Sequence, residues 1–189
     1  MKIAIISDIH DNVWNLRTAL ARLGSCDTMV CCGDLCSPFV IPMLGSGFAG
    51  TIHIVFGNND ADLFRITQNA SRFPNVVLHG EAFFGEIGGV RVAANHYNTI
   101  GPRLADAADL VCYGHNHVYA VETKGTTLIV NPGAIMGFNP GLGHDVPATF
   151  MVYDTDRREL QGYRIDTPRG SDTTVDGSTV SPYEPPTSG

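Results

Sequence analysis

Short apolar runs recur along this chain, each closed by a polar, glycine-marked break. Ile3–Ile6, Met29–Cys32, Ile52–Phe56, Val90–Ala94 and Leu110–Tyr113 are mostly apolar and only a few residues long. Runs of that length bounded by Gly, Asp and Asn predict buried strands. After the first run, Val13, Leu16, Leu20 and Leu23 follow helical spacing, with Asp11 or Asn12 at a capping position and Gly24 beyond. Strand, helix, strand near the start predicts a parallel sheet. Pro38–Leu44 and Ala61–Asn69 predict two shorter helices.

From Val76 the pattern changes. Val76–Leu78, Ala82–Ile87 and Val90–Ala94 read as short strands, and Gly88-Gly89 predicts a tight hairpin between the last two. Gly101–Ala108 predicts a helix. Val118–Thr123 and Thr126–Val130 flank a Lys124-Gly125 turn, and Thr149–Tyr153 and Glu159–Ile165 flank Asp154–Arg158. Antiparallel pairs added to a parallel first half predict two packed mixed sheets with helices outside. Pro132–Pro147 is a Gly/Pro-rich loop, long enough to be functional or mobile.

The 189 residues fit one domain, large enough to bury about 70% of its unfolded surface. That domain is expected over residues 1–165. Residues 166–189 are rich in Ser, Thr, Pro, Gly and Asp, with Val175, Val180 and Tyr183 the apolar exceptions, so a disordered tail is expected there. Formal charge is −7 and no dense Lys/Arg patch is present, which argues against stable nucleic-acid binding. No run approaches the roughly 20 apolar residues of a membrane span. Ile3–Ile6 is too short for a signal peptide, so no targeting segment is expected. Cys31, Cys32 and Cys112 lie in apolar strands as small hydrophobes, so the five cysteines are expected to be reduced and the protein cytoplasmic. A zinc knuckle at Cys31, Cys32 and Cys36 lacks a second Cys/His pair at finger spacing.

The run ends carry the chemistry. They deliver Asp8-x-His10, Gly33-Asp34, Gly57-Asn58-Asn59-Asp60, Asn95-His96 and Gly114-His115-Asn116-His117. Ligands of α/β sheets bind outside the carboxyl ends of strands. Residues i and i+2 of an extended segment point the same way, so Asp8/His10 and His115/His117 can each serve one place. Side chains so arranged can reach two metals about 3.5–4 Å apart, and the Asp34 carboxylate can bridge them. Imidazole and oxygen donors without thiolate suit Mn, Fe, Co, Ni or Zn better than Ca. Taken singly, Asp8 also reads as a helix cap, Asp34 and Asn58 as turn residues, and His96 as a structural histidine. Their joint occurrence at five strand ends favours the metal reading. His53, His79 and His144 are read as structural or solvated, with His144 an alternative proton donor; Phe138 is a pocket wall or an anchor.

In this order the motifs resemble those of the calcineurin-like metallophosphoesterases over Met1–Ile165. The short length and Asn131-Pro132-Gly133 resemble the small single-domain phosphodiesterases of bacteria and archaea. The resemblance implies an α/β fold, a four-layer α-β-β-α sandwich of two mixed sheets. It implies one metal on Asp8, His10, Asp34 and His117, and a second on Asp34, Asn58, His96 and His115. It implies two divalent transition-metal ions, manganese first among them, and hydrolysis of a small phosphodiester by a metal-bridging hydroxide. Asn12, Asn59 and Asp60 are the catalytic candidates. Asn12 is read as a cap, a phosphoryl contact or both, and Asp60 as orienting a neighbour or capping the next helix.

Three departures stand out. Asn59 occupies a position where many relatives have His, Tyr97 follows His96 where Gly is usual, and the loop after Gly133 lacks a Pro-Arg pair. The alternatives are a non-catalytic assembly scaffold like a retromer subunit, and a protein phosphatase. A homo-oligomer stays open.

Overall fold

The computed structural model describes residues 1–166 and 178–186. Strand β1 (Lys2–Ile6) lies at the middle of a seven-stranded sheet. Its side chains alternate between two cores. Ala4 and Ile6 face the helices, whereas Ile3 and Ile5 face the second sheet. Period-two alternation with apolar residues at every position is what a strand buried on both faces requires.

On one side β1 pairs in parallel with β2 (Thr28–Cys31), followed by β3 (Thr51–Ile54) and β4 (Val76–Leu78). Helices α1 (Val13–Leu23), α2 (Val40–Gly47) and α3 (Leu63–Ala70) connect these strands and cover the outer face. Leu16, Ala19, Leu20 and Leu23 form the buried stripe of α1, and the Asn12 side chain accepts the Asn15 N–H at its start. The second sheet runs β5 (Ala82–Ile87), β6 (Val90–Asn95), β7 (Leu110–Cys112), β9 (Thr127–Asn131), β8 (Ala120–Lys124). A hairpin of β10 (Phe138–Asn139) and β11 (His144–Asp145) follows, inside the Gly/Pro-rich loop. Then β12 (Ala148–Asp154) and β13 (Glu159–Asp166) return to the first sheet, β12 antiparallel to β1. Both sheets are mixed, and the order helix, sheet, sheet, helix matches the expected sandwich.

The structure adjusts several expectations. The fourth layer is a 3-10 helix over Gly101–Ala107, with Ala105 and Ala108 packed on Ala93, Val111 and Ile129. The second hairpin turns one residue later, at Gly125-Thr126, because Lys124 pairs with Thr127 and Gly125 supplies the left-handed φ of +61°. The tail is not structureless at Thr179–Pro182, which forms β14 on the edge of β13. Composition conceals this, since an added edge strand draws on backbone hydrogen bonds that any residue type supplies. Two side chains anchor it. Val180 packs against the helix-side core, and the Tyr183 ring meets Tyr119 edge-on with centroids 4.9 Å apart. Residues 167–177 and 187–189 lie outside the described part. Among the described residues, no helix is long and apolar enough to cross a membrane.

Truncation after Asp166 should therefore lower stability by about 1–2 kcal/mol, the order expected for uncovering two such side chains. Chemical denaturation of the full and truncated chains measures it.

His53 and His79 meet at the edge of the inter-sheet layer, with Nδ1 of the first 2.9 Å from Nε2 of the second. Both rings lie 4.5 Å from the Phe83 ring. Burial lowers the pKa of both, and for His53 the neighbouring His79 lowers it further. A depressed folded-state pKa keeps stability intact above the unfolded value of about 6.5 and loses it as pH falls below. The melting temperature should fall more between pH 7.5 and 5.5 in the wild type than in His53→Phe.

Candidate metal centre

Five loops converge where the two sheets meet. Asp8 and His10 follow β1, Asp34 follows β2, Asn58 follows β3, His96 follows β6, and His115 and His117 follow β7. The backbone is unusual there. Asp8, His10, Asp11, Asp34, Cys36, His115 and His117 all have positive φ, between 43° and 75°. These segments are therefore not extended, and the i, i+2 argument does not explain why Asp8 and His10 converge. Left-handed turns aim them instead, at an energetic cost that the surrounding core sustains. The glycines beside the donors are needed for space. A Cβ on Gly57 would collide with the Asp34 carboxylate, and one on Gly114 with Ser7 and Asp8.

The donor atoms form two overlapping groups, Asp8/His10/His117 and Asp8/Asp34/His96. Asp34 Oδ2 lies 3.3 Å from His10 Nε2 and 3.4 Å from His96 Nε2, so one oxygen stands between both halves. His117 Nε2 is 3.3 Å from Asp8 Oδ1. Asn58 Oδ1 and His115 Nδ1 lie 3.1 and 3.2 Å from His96 Nε2. All seven expected metal residues are thus brought together.

The protons decide what fits between them. His96 Nδ1 is 2.8 Å from the Cys32 carbonyl oxygen, and His117 Nδ1 is 2.5 Å from that of Phe138. A carbonyl only accepts, so each Nδ1 carries the proton and each Nε2 presents a lone pair inward. The His117 lone pair then faces His10 Nε2 at 3.1 Å, and that of His96 faces Asn58 and Asp34 oxygens. Acceptors crowded against acceptors require a proton or a metal cation. The donor set, imidazole plus carboxylate plus amide oxygen, fits a divalent transition metal in each half.

Charge within the donor set points the same way. Burial by itself lowers the His10 pKa, but hydrogen bonds to Asp34 and Asp8 outweigh it and raise the value to about 9. His96 and His117 are raised too, against burial, by Asp34 and Asp8 respectively. Burial by itself raises Asp8, yet His10 and His117 bring it down to about 2, and Asp34 is held lower still by His10 and His96. His115 is lowered, by burial and then by His96. Ionised carboxylates thus hold positive charge in the site.

The three remaining candidates occupy different places. The Asp60 carboxylate accepts four backbone N–H groups, from Asp34 (3.1 Å), Leu35 (2.7 Å), Cys36 (3.0 Å) and Gly57 (2.7 Å). It ties the Asp34 loop to the Asn58 loop. It does not cap α3; Asp62 does, accepting the Arg65 N–H. Asn59 donates through its backbone to Asp34 Oδ1 at 2.8 Å and through its amide to Oδ2 at 2.9 Å. Asn12 caps α1, and its amide donates to the Met136 carbonyl at 3.0 Å.

Sequence reasoning missed some participants. Cys36 Sγ lies 3.5 Å from His10 Nδ1, Ser37 donates through N–H and hydroxyl to Asp11, and Phe138 serves through its carbonyl. The Tyr97 ring lies edge-on to His96 and His115. In the sequence Tyr97 is marked by its departure from Gly, Phe138 as a wall or an anchor and Cys36 through the zinc-knuckle reading, whereas Ser37 carries no signal. His144 is exposed on the β10–β11 hairpin, its Nδ1 donating to the Asp145 carbonyl.

A sandwich of two mixed sheets with this donor cluster at its strand ends defines a metallophosphoesterase. The chain belongs to the calcineurin-like phosphoesterase superfamily, whose domain model matches residues 1–158. It is 27% identical over 167 residues to a phosphodiesterase of Methanocaldococcus jannaschii, covering 85% of this chain and 97% of the relative. The solved structure of an archaeal phosphodiesterase superposes with a TM-score of 0.77 at 26% identity, covering 87% of this chain and 99% of the other. Vacuolar protein sorting 29 from Cryptosporidium parvum shares the fold, with a TM-score of 0.68 at 22% identity over 96% of both chains. Family and donor cluster together make this a divalent-metal site of a phosphoester hydrolase.

Asp60→Ala leaves four N–H groups without their acceptor. Stability should fall by about 3 kcal/mol or more, since each buried orphan costs about 1–3 kcal/mol. Urea denaturation of the metal-free proteins reads that loss.

Proposed function

We propose that this protein is a phosphodiesterase working with two divalent metal ions, manganese first among them, on a small phosphate diester. The observation that carries this reading is the position of Asp34 Oδ2, within 3.4 Å of imidazole nitrogens from both halves of the site. Asp8, His10, Asp34 and His117 hold one ion, and Asp34, Asn58, His96 and His115 the other. Two such ions lower the pKa of water and offset charge on the phosphoryl oxygens. Asn59 steadies the shared carboxylate through both of its donors. Asp60 fixes the loops, and Asn12 sits at the site's edge with its own amide committed to Met136. The free thiols of all five cysteines fit a reducing cytoplasm.

The likeness to a vacuolar sorting protein favours a second reading, a scaffold for protein assembly. A complete donor set, with His96 and His117 turned Nε2-inward by their main-chain carbonyl partners, speaks for hydrolysis. Asp34→Ala should abolish turnover of an aryl phosphodiester and leave at most one tightly held Mn per chain. Near-wild-type activity of that variant at low metal would sink the shared-carboxylate assignment.

Asn59 cannot act as a general acid, so the departing oxygen leaves with its charge. Aryl diesters should outpace alkyl diesters steeply, because general-acid help is worth about 10²–10⁴-fold. The slope of log rate against leaving-group pKa, in wild type and Asn59→His, measures this. A shallow slope unchanged in the variant would mean that another group supplies the proton, with exposed His144 the first to test.

A further inference from the structure

Three imidazoles turn Nε2 into the site, and each needs something to hold its outer Nδ1. For His96 and His117 that partner is a main-chain carbonyl, of Cys32 and Phe138. For His10 it is a side chain, the Cys36 thiol, 3.5 Å from Nδ1. We propose that Cys36 is a positioning residue for His10, its sulfur accepting the Nδ1–H so that Nε2 stays aimed at one of the two metal positions. The inference rests on the metal-centre reading above.

The local structure supports it. Cys36 follows Asp34 and Leu35 in the loop fastened by Asp60, and its own N–H donates to Asp60 Oδ1 at 3.0 Å. Its φ of +72° is one of the left-handed values in the site. The main chain that carries the thiol is therefore held in place. The imidazole of His10 is also braced from within, with Nε2 at 3.3 Å from Asp34 and 3.1 Å from His117 Nε2. Partners on the outer nitrogen of a ligating histidine fix its tautomer and raise its basicity. Sulfur is a weaker acceptor than a carbonyl oxygen. His10 is thus the least firmly anchored of the three rings, and the only one whose anchor a single substitution can change. The half of the site built on Asp8, His10 and His117 should hold its ion less tightly for that reason.

The test compares Cys36→Ala, which has no acceptor, with Cys36→Ser, which keeps one. Both retain a Cβ, so the positive φ strains them equally. Co(II) is titrated into each metal-free protein by calorimetry and followed by its visible absorption. In Cys36→Ala one of two Co(II) equivalents should weaken by about 10–100-fold, the usual effect of losing such a partner. Its absorption band should change, while the other equivalent stays put. Cys36→Ser should restore both. Unchanged affinities and spectrum in Cys36→Ala overturn the proposal. So does an equal loss in both variants with lowered melting temperatures, which would mark Cys36 as packing only. If the wild type itself takes up no Co(II), the metal-centre reading fails first and takes this inference with it.

Discussion

Neighbouring strands of a parallel sheet deliver their loops side by side, but nothing in the sheet itself fixes how those loops are folded. Here the carboxylate of Asp60 does so, accepting N–H groups from Asp34, Leu35, Cys36 and Gly57. A buried carboxylate with its oxygens filled by main-chain donors is a rigid object. Because Asp34 stands inside that set, its carboxylate is held where it meets both His10 and His96. Asn59, one residue before Asp60, closes the arrangement from the other side by donating twice to Asp34. This oxygen is where imidazoles from the two halves of the site meet.

Such an arrangement is unfavourable in isolation. Seven non-glycine residues of the site have left-handed backbone, and the Nε2 atoms of His10 and His117 meet across 3.1 Å. Strain of this kind persists where the surrounding structure over-determines it. The strands behind the loops provide that constraint. β1 and β2 are buried on both faces, between the helix-side core and the inter-sheet core. The apolar runs and the ligand motifs are therefore one device, with the core sustaining the strain and the loops using it.

Much of this was legible in the sequence, for identifiable reasons. Apolar runs ending in Gly-Asp or Gly-His mark strand-to-loop junctions, so the strands and the convergence of Asp8, Asp34, Asn58, His96 and His117 could be read directly. The partition of donors between two ions came from the family resemblance. What stayed hidden depends on backbone. The turns that aim Asp8 and His10 are left-handed, which residue spacing does not reveal. The partner of His117 is a carbonyl, which every residue has. Cys36 reads as a member of an incomplete zinc knuckle until its sulfur is found beside His10. The strand at Thr179–Pro182 was hidden by a composition typical of linkers, because its attachment draws on the open edge of β13 and on Tyr119, far away in sequence.

The pairing of β1 with β12 has a consequence for how the molecule comes into being. β1 is made long before its second neighbour. The Met1 amine and the Thr155 hydroxyl that it meets are 154 positions apart. Until β12 leaves the ribosome, β1 has pairing on one side only, and the inter-sheet core lacks Met151 and Tyr153. A nascent chain thus carries an open edge on a mostly apolar strand through most of its synthesis, the kind of surface that chaperones recognise and that aggregates when unprotected. Contacts of such long range also make for slow closure. Asp8 and Asp34 follow strands of the first sheet, whereas His96 and His117 follow strands of the second. The metal centre can assemble only once the two halves have closed on each other.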